Sequence, residues 1–173
     1  MSPVIRSLRG YTPRIAKPSF VAETAALIGD VSIGAESSIW YGAVLRGDDN
    51  PITVGRRSNI QDGTIVHVSS TGQGTVIGDE VSIGHAAIIH ACTLEDRAFV
   101  GMGATVMDGA VVEGGAMVAA GALVAPGKIV RTGQVWMGNP GRHARDLTAD
   151  EEAYLAYVAT HYWELAQQYL SGG

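Results

Sequence analysis

Large apolar residues recur at every sixth position through most of this chain. From Leu94 onward, apolar residues at this spacing are Leu94, Val100, Val106, Val112, Val118 and Val124. Three earlier blocks keep the same spacing: Ile33, Ile39, Leu45; Val54, Ile60, Val66; and Ile77, Ile83, Ile89. A hexapeptide period is typical of a parallel β-helix, in which each short strand turns one apolar residue inward and three hexapeptides close one coil. The pattern therefore predicts an all-β solenoid with a continuous aliphatic core.

The tail of the chain carries a different pattern. Thr148 and Glu151 have capping-box spacing, which marks the start of a helix. Apolar residues then follow at helical spacing, namely Tyr154, Val158, Tyr162, Leu165 and Tyr169. We expect one domain over residues 1–173, with the β-helix at about 20–130 and a C-terminal α-helix at 148–170 packed along it.

Two segments interrupt the six-residue spacing. The first lies between Leu45 and Val54 and reads Arg-Gly-Asp-Asp-Asn-Pro at its centre, and the second is the Ser- and Gly-rich stretch Val68–Thr75. Insertions in solenoids usually form surface loops, often on the face that binds ligands. Both segments are therefore predicted to be loops near a functional site.

Bulk properties exclude several classes of function. The formal net charge is -5, so the composition gives no indication of a nucleic-acid partner. No apolar run is long enough to span a bilayer, and the first residues lack the apolar stretch of a secretory signal. Cys92 is the single cysteine, so no intrachain disulfide can form. We therefore expect a cytoplasmic protein without a membrane partner.

Three histidines within the repeat are candidate metal ligands. His67 and His90 each directly follow the inward residue of a third hexapeptide, as Arg46 does, so these side chains form one outward column. Adjacent strands lie about 4.7–4.9 Å apart, so His67 and His90 could share a metal ion. His85 instead falls near the corner of another face, beside Asp62. The interval from His67 to His85 is 85 − 67 = 18 residues, or three hexapeptides, but the second insertion breaks that register.

A catalytic zinc site needs three protein ligands and an open fourth position. If His85 cannot reach the other two histidines within one chain, a neighbouring chain can supply it through an interface repeated around a three-fold axis. The residues thus predict a trimer with metal sites between subunits. The alternative is that each histidine is an ordinary surface residue, and we interpret His143 and His161, which lie outside the repeat, in that way.

Three segments carry a family resemblance: Leu45–Asp48, Asn59–His67 and Ile83–His90. Together and in this order they closely resemble the gamma-class carbonic anhydrase family. The resemblance implies a left-handed parallel β-helix of hexapeptide repeats, assembled as a homotrimer. It also implies zinc (Zn2+) between subunits, with iron (Fe2+) or cobalt (Co2+) as alternatives. By motif, His67 and His90 come from one chain and His85 from its neighbour.

The same resemblance assigns roles to other residues and implies reversible hydration of carbon dioxide to bicarbonate. Gln61 matches the residue that orients the attacking hydroxide, and Asp49 falls where a second acidic residue is common. Tyr162 is expected to cap the pocket or hydrogen-bond the ligand, and its alternative role is a core residue of the helix. The interface and structural residues of the motif are Arg46, Asp48, Asn59 and Asp62.

One departure from the family bears on catalysis. The best-studied branch has a long acidic loop with a glutamate that shuttles protons, whereas Val68–Thr75 contains no Asp or Glu. We therefore expect a lyase that is slow or even inactive. Two alternatives stay open: a hexapeptide acyltransferase that uses a CoA thioester, and a non-catalytic trimer that keeps the metal for assembly.

Overall fold

The computed structural model describes residues 2–172, which form short strands followed by one helix. The strands within this range are β1 (Val4–Arg6), β2 (Arg14–Ile15), β3 (Phe20–Val21), β4 (Ala26–Ile33), β5 (Ser38–Ile39), β6 (Val44–Val54), β7 (Asn59–Ile60), β8 (Ile65–His67), β9 (Thr75–Ile77), β10 (Ser82–Ile83), β11 (Ile88–His90), β12 (Thr93–Leu94), β13 (Phe99–Val100), β14 (Thr105–Val106), β15 (Val111–Val112), β16 (Met117–Val118), β17 (Leu123–Val124), β18 (Ile129–Val130), β19 (Gln134–Met137) and β20 (Arg142–Asp146). The helix is α1 (Ala149–Leu170).

The strands stack as the coils of a parallel β-solenoid of about seven turns, which confirms the predicted fold class. One face, here called the helix face, consists of the parallel strands β3, β5, β7, β10, β13, β16 and β19, with β20 antiparallel to β19 at its edge. The histidine face consists of β1, the first part of β4 and β6, and then β8, β11, β14 and β17. The third face consists of β2, the last part of β4 and β6, and then β9, β12, β15 and β18.

The six-residue spacing fixes which side chains fill the solenoid. Leu45, Val66 and Ile89 are fully buried, and they occupy the same position on three successive coils of the histidine face. Since successive strand residues point to opposite sides, the residues just before and after each of them point outward. A slip of one residue would expose this whole aliphatic column, so burial holds the register of the neighbouring outward residues.

The first insertion is not a loop, contrary to the sequence-based expectation. Residues 46–51 continue within β6, which passes from the histidine face to the third face beside β4. The register shifts at this corner, because Gly29 pairs with Gly47 whereas Val31 pairs with Ile52. The extra residues form an irregular bulge in β6. A Cβ at Gly29 (φ +76°) would collide with the Gly47 carbonyl.

The second insertion is a loop, as predicted. Residues 68–74 lie outside the strands, between β8 and β9. Its ends are joined by the Thr75 hydroxyl, which donates to the His67 carbonyl at 2.6 Å.

The strands also extend beyond residues 20–130 at both ends, since β1 and β2 pair with β4 while β19 continues the helix face. Strand β1 lies outside the six-residue spacing, since Ile5 stands 27 − 5 = 22 residues before its partner Leu27, whereas Ile15 of β2 keeps the spacing with Val21, Leu27 and Ile33.

Helix α1 begins where the capping box predicted it. Thr148 is the N-cap, and its side chain and that of Glu151 each bond the other's backbone N–H. The helix packs against β3, β5, β7 and β10. Its buried residues are Leu155, Val158, Ala159 and Ala166, whereas Tyr154 and Tyr169 are about half exposed. The predicted apolar stripe is therefore only partly buried: Val158 is buried and Tyr162 and Leu165 are half-buried, while Leu155, Ala159 and Ala166 beside them are the other buried residues.

An aromatic cluster fixes the C-terminal half of this helix. The ring of Trp40 lies 5.1 Å from Phe20, 5.6 Å from Tyr162 and 5.3 Å from Tyr169, measured between centroids. Such tilted and edge-to-face pairs stabilise packing by about 0.5–1.5 kcal/mol beyond burial. The contacts place Tyr162 over the helix face. Across residues 2–172, no helix combines the length and the apolar character needed to cross a bilayer.

Candidate metal centre

His67 and His90 meet on adjacent coils of the histidine face. His67 ends β8, His90 ends β11, and the two residues are paired in the parallel ladder. The buried neighbours Val66 and Ile89 set this pairing, so the stacking predicted from the sequence is confirmed. Nδ1 of His67 lies 3.2 Å from Nε2 of His90.

Each of these rings has a carboxylate at its other nitrogen. Asp48 Oδ1 lies 3.0 Å from Nε2 of His67, and Asp108 Oδ1 lies 2.7 Å from Nδ1 of His90. Both distances fit an imidazole N–H donating to a carboxylate. In those tautomers the two facing nitrogens are both acceptors, with their lone pairs directed into the space between the rings. Facing lone pairs are unfavourable unless a cation or a proton lies between them.

The geometry of this pair fits a tetrahedral zinc ion. Two nitrogens at about 2.0–2.1 Å from such an ion would stand roughly 3.3–3.4 Å apart, close to the separation of His67 and His90. A carboxylate that holds the far nitrogen of a ligating histidine is the usual support of a metal site. However, among residues 2–172 of one chain, no group of three or more His, Cys, Asp or Glu side chains could hold a metal ion. Within the described part of one chain, only His67 and His90 are brought together in this geometry.

Asp48 is held in its ionised form. Burial raises its pKa, but hydrogen bonds from His67 and from the Asp48 backbone, together with the ion pair to Arg46, outweigh that effect and lower the pKa below its usual value. The carboxylate therefore stays negative at neutral pH and keeps the N–H of His67 directed towards it.

His85 lies at the opposite edge of the histidine face from the pair. It occupies the turn between β10 and β11, and its Nδ1 is 2.9 Å from Asp62 Oδ2. The turn is held by the Gly103 N–H, which donates to the His85 carbonyl at 2.8 Å. About 45% of the side chain is exposed, so the ring is accessible to a neighbouring molecule. The separation of His85 from His67, predicted from the interrupted register, is confirmed.

Gln61 stands beside His85 in an ordered hydrogen-bond chain. Its Nε2 donates to Asn59 Oδ1 at 3.0 Å, and Asn59 Nδ2 donates to Ser82 Oγ at 2.7 Å. All three side chains are buried. One N–H of the Gln61 amide is engaged by Asn59, which leaves its oxygen and its second N–H for a group outside the chain. The Gln61 amide oxygen can therefore accept a hydrogen bond at a fixed position.

A cavity of about 390 Å3 lies between the helix face and α1, with Gln61, His85 and Tyr162 in its wall. Apolar side chains form much of the remaining wall, including Phe99 and Met117. Burial raises the pKa of Tyr162, and the nearby Tyr154 and Asp62 act in the same direction. Its hydroxyl therefore stays protonated and can donate a hydrogen bond into the cavity.

No protein-family model matches the chain. Sequence relatives are nevertheless clear. The chain is 53% identical over 165 residues to gamma carbonic anhydrase 2, mitochondrial, of Arabidopsis thaliana, covering 92% of this chain and 59% of that protein. It is 52% identical over 153 residues to a probable carbonic anhydrase of Methanocaldococcus jannaschii, covering 88% of this chain and 96% of that protein. The chain belongs to the gamma-class carbonic anhydrase family.

A solved structure of this fold carries a different name. A hexapeptide transferase family protein from Anaplasma phagocytophilum superimposes with a TM-score of 0.93 at 49% identity, covering 96% of this chain and 98% of that one. The chain spans less than two thirds of the length of the Arabidopsis relative. Membership of the gamma-class carbonic anhydrase family therefore identifies the scaffold and the motif of this chain.

Not every residue singled out from the gamma-class motif lies with the histidine pair. Asp48 contacts His67, whereas Asp49 is bound by Arg9, whose Nη1 lies 2.7 Å from Asp49 Oδ1. Asp108 was not singled out at all, although it contacts His90. The six-residue spacing gives no sign of it, because Ile89 pairs with Val106, an offset of 106 − 89 = 17 residues, which brings Met107 level with His90 and leaves Asp108 in the turn that follows.

Proposed function

We propose that this chain forms a homotrimer whose three subunit interfaces each hold a metal ion and hydrate carbon dioxide reversibly to bicarbonate. The observation that carries this proposal is the placement of the ligands. His67 and His90 direct free nitrogens towards each other at one edge of the histidine face, and His85 lies exposed at the other edge. A three-fold arrangement brings one edge of each chain against the opposite edge of the next and completes three sites.

The surface between the two edges supports this assembly. Ile65 and Ile88 point outward from the histidine face with exposed fractions of 47% and 43%, and Val44 continues the same column. Exposed aliphatic side chains on a flat sheet face favour burial against another copy of the chain. Arg46 and Asp48, paired at the edge of this column, would then lie within the interface, where we assign them a structural role.

The metal we propose is zinc, with Fe2+ and Co2+ as the alternatives. An all-imidazole set of three ligands suits these ions and leaves one position open. In carbonic anhydrases, which are the standard example of this effect, bound zinc lowers the pKa of its water to about 7 and so supplies hydroxide at neutral pH. Asp48 and Asp108 each bind the far nitrogen of one ring and so orient the facing nitrogens of His67 and His90 towards the metal.

The remaining residues bind and orient the reactants. Gln61 offers its amide oxygen as an acceptor, which fixes the direction of the attacking oxygen's O–H, and Asn59 holds that amide in place. Tyr162 donates from the opposite wall of the cavity and orients the substrate or product. We assign Asp62 to holding the ring of His85.

Proton release is the step for which this chain is least equipped. The loop at residues 68–74 has no carboxylate. We propose that Asp49, which is partly exposed and follows Asp48, accepts the proton before solvent does. Because Arg9 Nη1 occupies Asp49 Oδ1 at 2.7 Å, one oxygen of this carboxylate is already engaged, and we expect slow turnover.

An acyltransferase is the second candidate, supported by the name of the Anaplasma structure. Such an enzyme needs a histidine with one nitrogen free to accept a proton from its substrate. In this chain the free nitrogens of His67 and His90 face each other at 3.2 Å, which leaves little room for a substrate group between them. The third candidate, a non-catalytic metal-binding trimer, keeps the same ligands without the chemistry.

Metal analysis combined with two assays separates the three candidates. We expect the purified protein to be a trimer with one metal ion per chain, to hydrate carbon dioxide and to leave acetyl-CoA intact. His90→Ala should lose the metal and the hydration together, whereas the control His143→Ala, which changes an exposed histidine paired with Asp146, should lose neither. Metal without hydration would favour the non-catalytic trimer, and acetyl-CoA hydrolysis without metal would favour the acyltransferase.

We further propose a cytoplasmic location, with no nucleic-acid or membrane partner. The support is Cys92, a single buried cysteine whose pKa burial raises to about 12, so it is neither paired nor reactive. The Arabidopsis relative is named as mitochondrial, so cell fractionation with compartment markers is the direct test. Recovery of the protein in a compartment other than the cytoplasm would refute the proposed location.

A further inference from the structure

Asp108 is built into the coil that follows His90. Ile89 pairs with Val106, so the turn after β14 lies directly beside the end of β11. Two backbone hydrogen bonds hold this turn between neighbouring coils: Gly109 N–H donates to the Ala91 carbonyl at 2.7 Å, and Gly127 N–H donates to the Asp108 carbonyl at 2.9 Å. The carboxylate of Asp108 is therefore placed by the scaffold and not by a flexible loop.

The contact itself is short and directional. Asp108 Oδ1 lies 2.7 Å from Nδ1 of His90, at the short end of the range for charge-assisted N–H···O bonds. A proton held on Nδ1 makes Nε2 the acceptor nitrogen, and Nε2 is the atom that faces His67. Without this partner the ring could rotate or adopt the other tautomer, and the lone pair would leave the space between the two histidines.

From this geometry we infer that Asp108 is a positioning residue of the metal centre, acting through His90 without touching the metal or the substrate. The inference rests on the proposed function, because it assumes that His90 ligates a metal. Loss of a carboxylate that supports a ligating histidine typically weakens metal affinity by about 10–100-fold. Asp108 thus takes for His90 the part that Asp48 takes for His67.

Two variants separate the charge of Asp108 from its hydrogen bond. Asp108→Asn keeps an acceptor oxygen near Nδ1 but removes the charge, and Asp108→Ala removes both. The control is Asp30→Ala, which deletes another carboxylate at the same corner of the solenoid. The Asp30 carboxylate is paired with Arg14 and contacts no histidine. Zinc affinity is measured on the assembled protein by competition with a chromogenic chelator. The visible spectrum of the cobalt-loaded protein reports ligand geometry independently of activity.

We expect zinc affinity to fall about 10–100-fold in Asp108→Ala and by a smaller factor in Asp108→Asn, with an altered cobalt spectrum. Asp30→Ala should bind zinc as tightly as the wild type. If Asp108→Ala keeps wild-type affinity and spectrum, the inference is wrong while the proposed function stands. If the wild type itself binds no metal, both fail. A fall in affinity as large in Asp30→Ala as in Asp108→Ala would also overturn the inference, because the effect would then come from charge or stability alone.

Discussion

Nδ1 of His67 lies 3.2 Å from Nε2 of His90, across two adjacent coils of one solenoid face. The far nitrogen of each ring is bound by a carboxylate, so the two near nitrogens are the atoms left to bind the proposed metal. His85, the third histidine of the repeat, lies at the other edge of the face. The simplest completion is a second chain, and its consequences can be measured.

Mixed trimers test whether the ligands come from two chains. We expect His67→Ala and His85→Ala to be inactive and metal-poor alone, because each damages all three interfaces of its own trimer. In a mixed trimer, one interface joins an intact His67–His90 pair to an intact His85. After the two variants are unfolded together and refolded, about a quarter of the sites should recover metal and activity, for random assembly around a three-fold axis.

The matching control is a mixture of His67→Ala with His90→Ala. Both residues belong to the same half of the proposed site. Neither variant chain therefore keeps an intact His67–His90 pair, and no recovery is expected. Recovery in this control, or none with His85→Ala when mixed trimers are demonstrably present, would show that the site is not divided as proposed.

A lysine on the histidine face should prevent assembly. Ile88→Lys places a charge on the outward column that we assign to the trimer interface, where an unpaired buried charge costs several kcal/mol. Val76→Lys is the control, because Val76 is equally apolar and 49% exposed but points outward from the third face. Analytical ultracentrifugation should give a monomer for the first variant and a trimer for the second. If the Ile88→Lys protein is still a trimer, the interface lies on another face of the solenoid.

Gln61→Ala should separate catalysis from metal binding. The amide oxygen of Gln61 is the free acceptor of an ordered chain, so its loss removes about one hydrogen bond from the reacting oxygen. We expect hydration to fall roughly tenfold, which corresponds to ~1.4 kcal/mol, at unchanged metal content. Asn59→Ala should cause part of the same loss, and the double variant should be no slower than Gln61→Ala. Strictly additive losses would mean that Asn59 does not act through Gln61.

The N-terminus of α1 should confer a pH-dependent stability. Hydrogen bonds from the Arg145 side chain, followed by those from Thr148, lower the pKa of Glu151 from 4.5 to about 2. A carboxylate with a lowered pKa in the folded state stabilises the fold above its unfolded pKa, and that contribution is lost as pH falls towards the folded value. The thermal midpoint of Glu151→Gln should therefore lie below that of the wild type above pH 4.5.

The same difference should shrink as the pH falls from 4.5 towards 2, since the wild-type carboxyl then becomes protonated as well. Glu164→Gln, an exposed change on the same helix, should track the wild type throughout. A difference between Glu151→Gln and the wild type that is constant with pH would indicate a loss of packing and not of charge.

The histidine pair could be read from the sequence because burial fixes it. Val66 and Ile89 must both point inward, and the residue after each then points outward on the same face. The interruption at residues 68–74 likewise separated His85 from His67. These inferences depend only on spacing and on the alternation of side chains along a strand.

Features that depend on local side-chain fit escaped the pattern. The course of β6 through Gly47 depends on the close approach of Gly29, and the polar sequence of residues 46–51 alone resembled a loop. In α1 the small residue Ala159 is buried against the sheet, whereas Tyr154 stays half exposed and contacts the sheet through the ring of Phe99. Asp108 escaped the six-residue pattern because the coil from Ile89 to Val106 is one residue short of 18, so the residue level with His90 is not the one that contacts it.

The loop at residues 68–74 leaves the solenoid at His67 and returns at Thr75, and the Thr75 hydroxyl closes its two ends on the His67 carbonyl. Its length is therefore decoupled from the coils above and below, which continue their ladder through Thr75 and Val76. An ancestor could lengthen this loop, or replace its residues with acids, without displacing either histidine. The histidines that we propose as metal ligands are thus held by the backbone ladder. The loop that we propose to affect proton release can change in sequence independently of them.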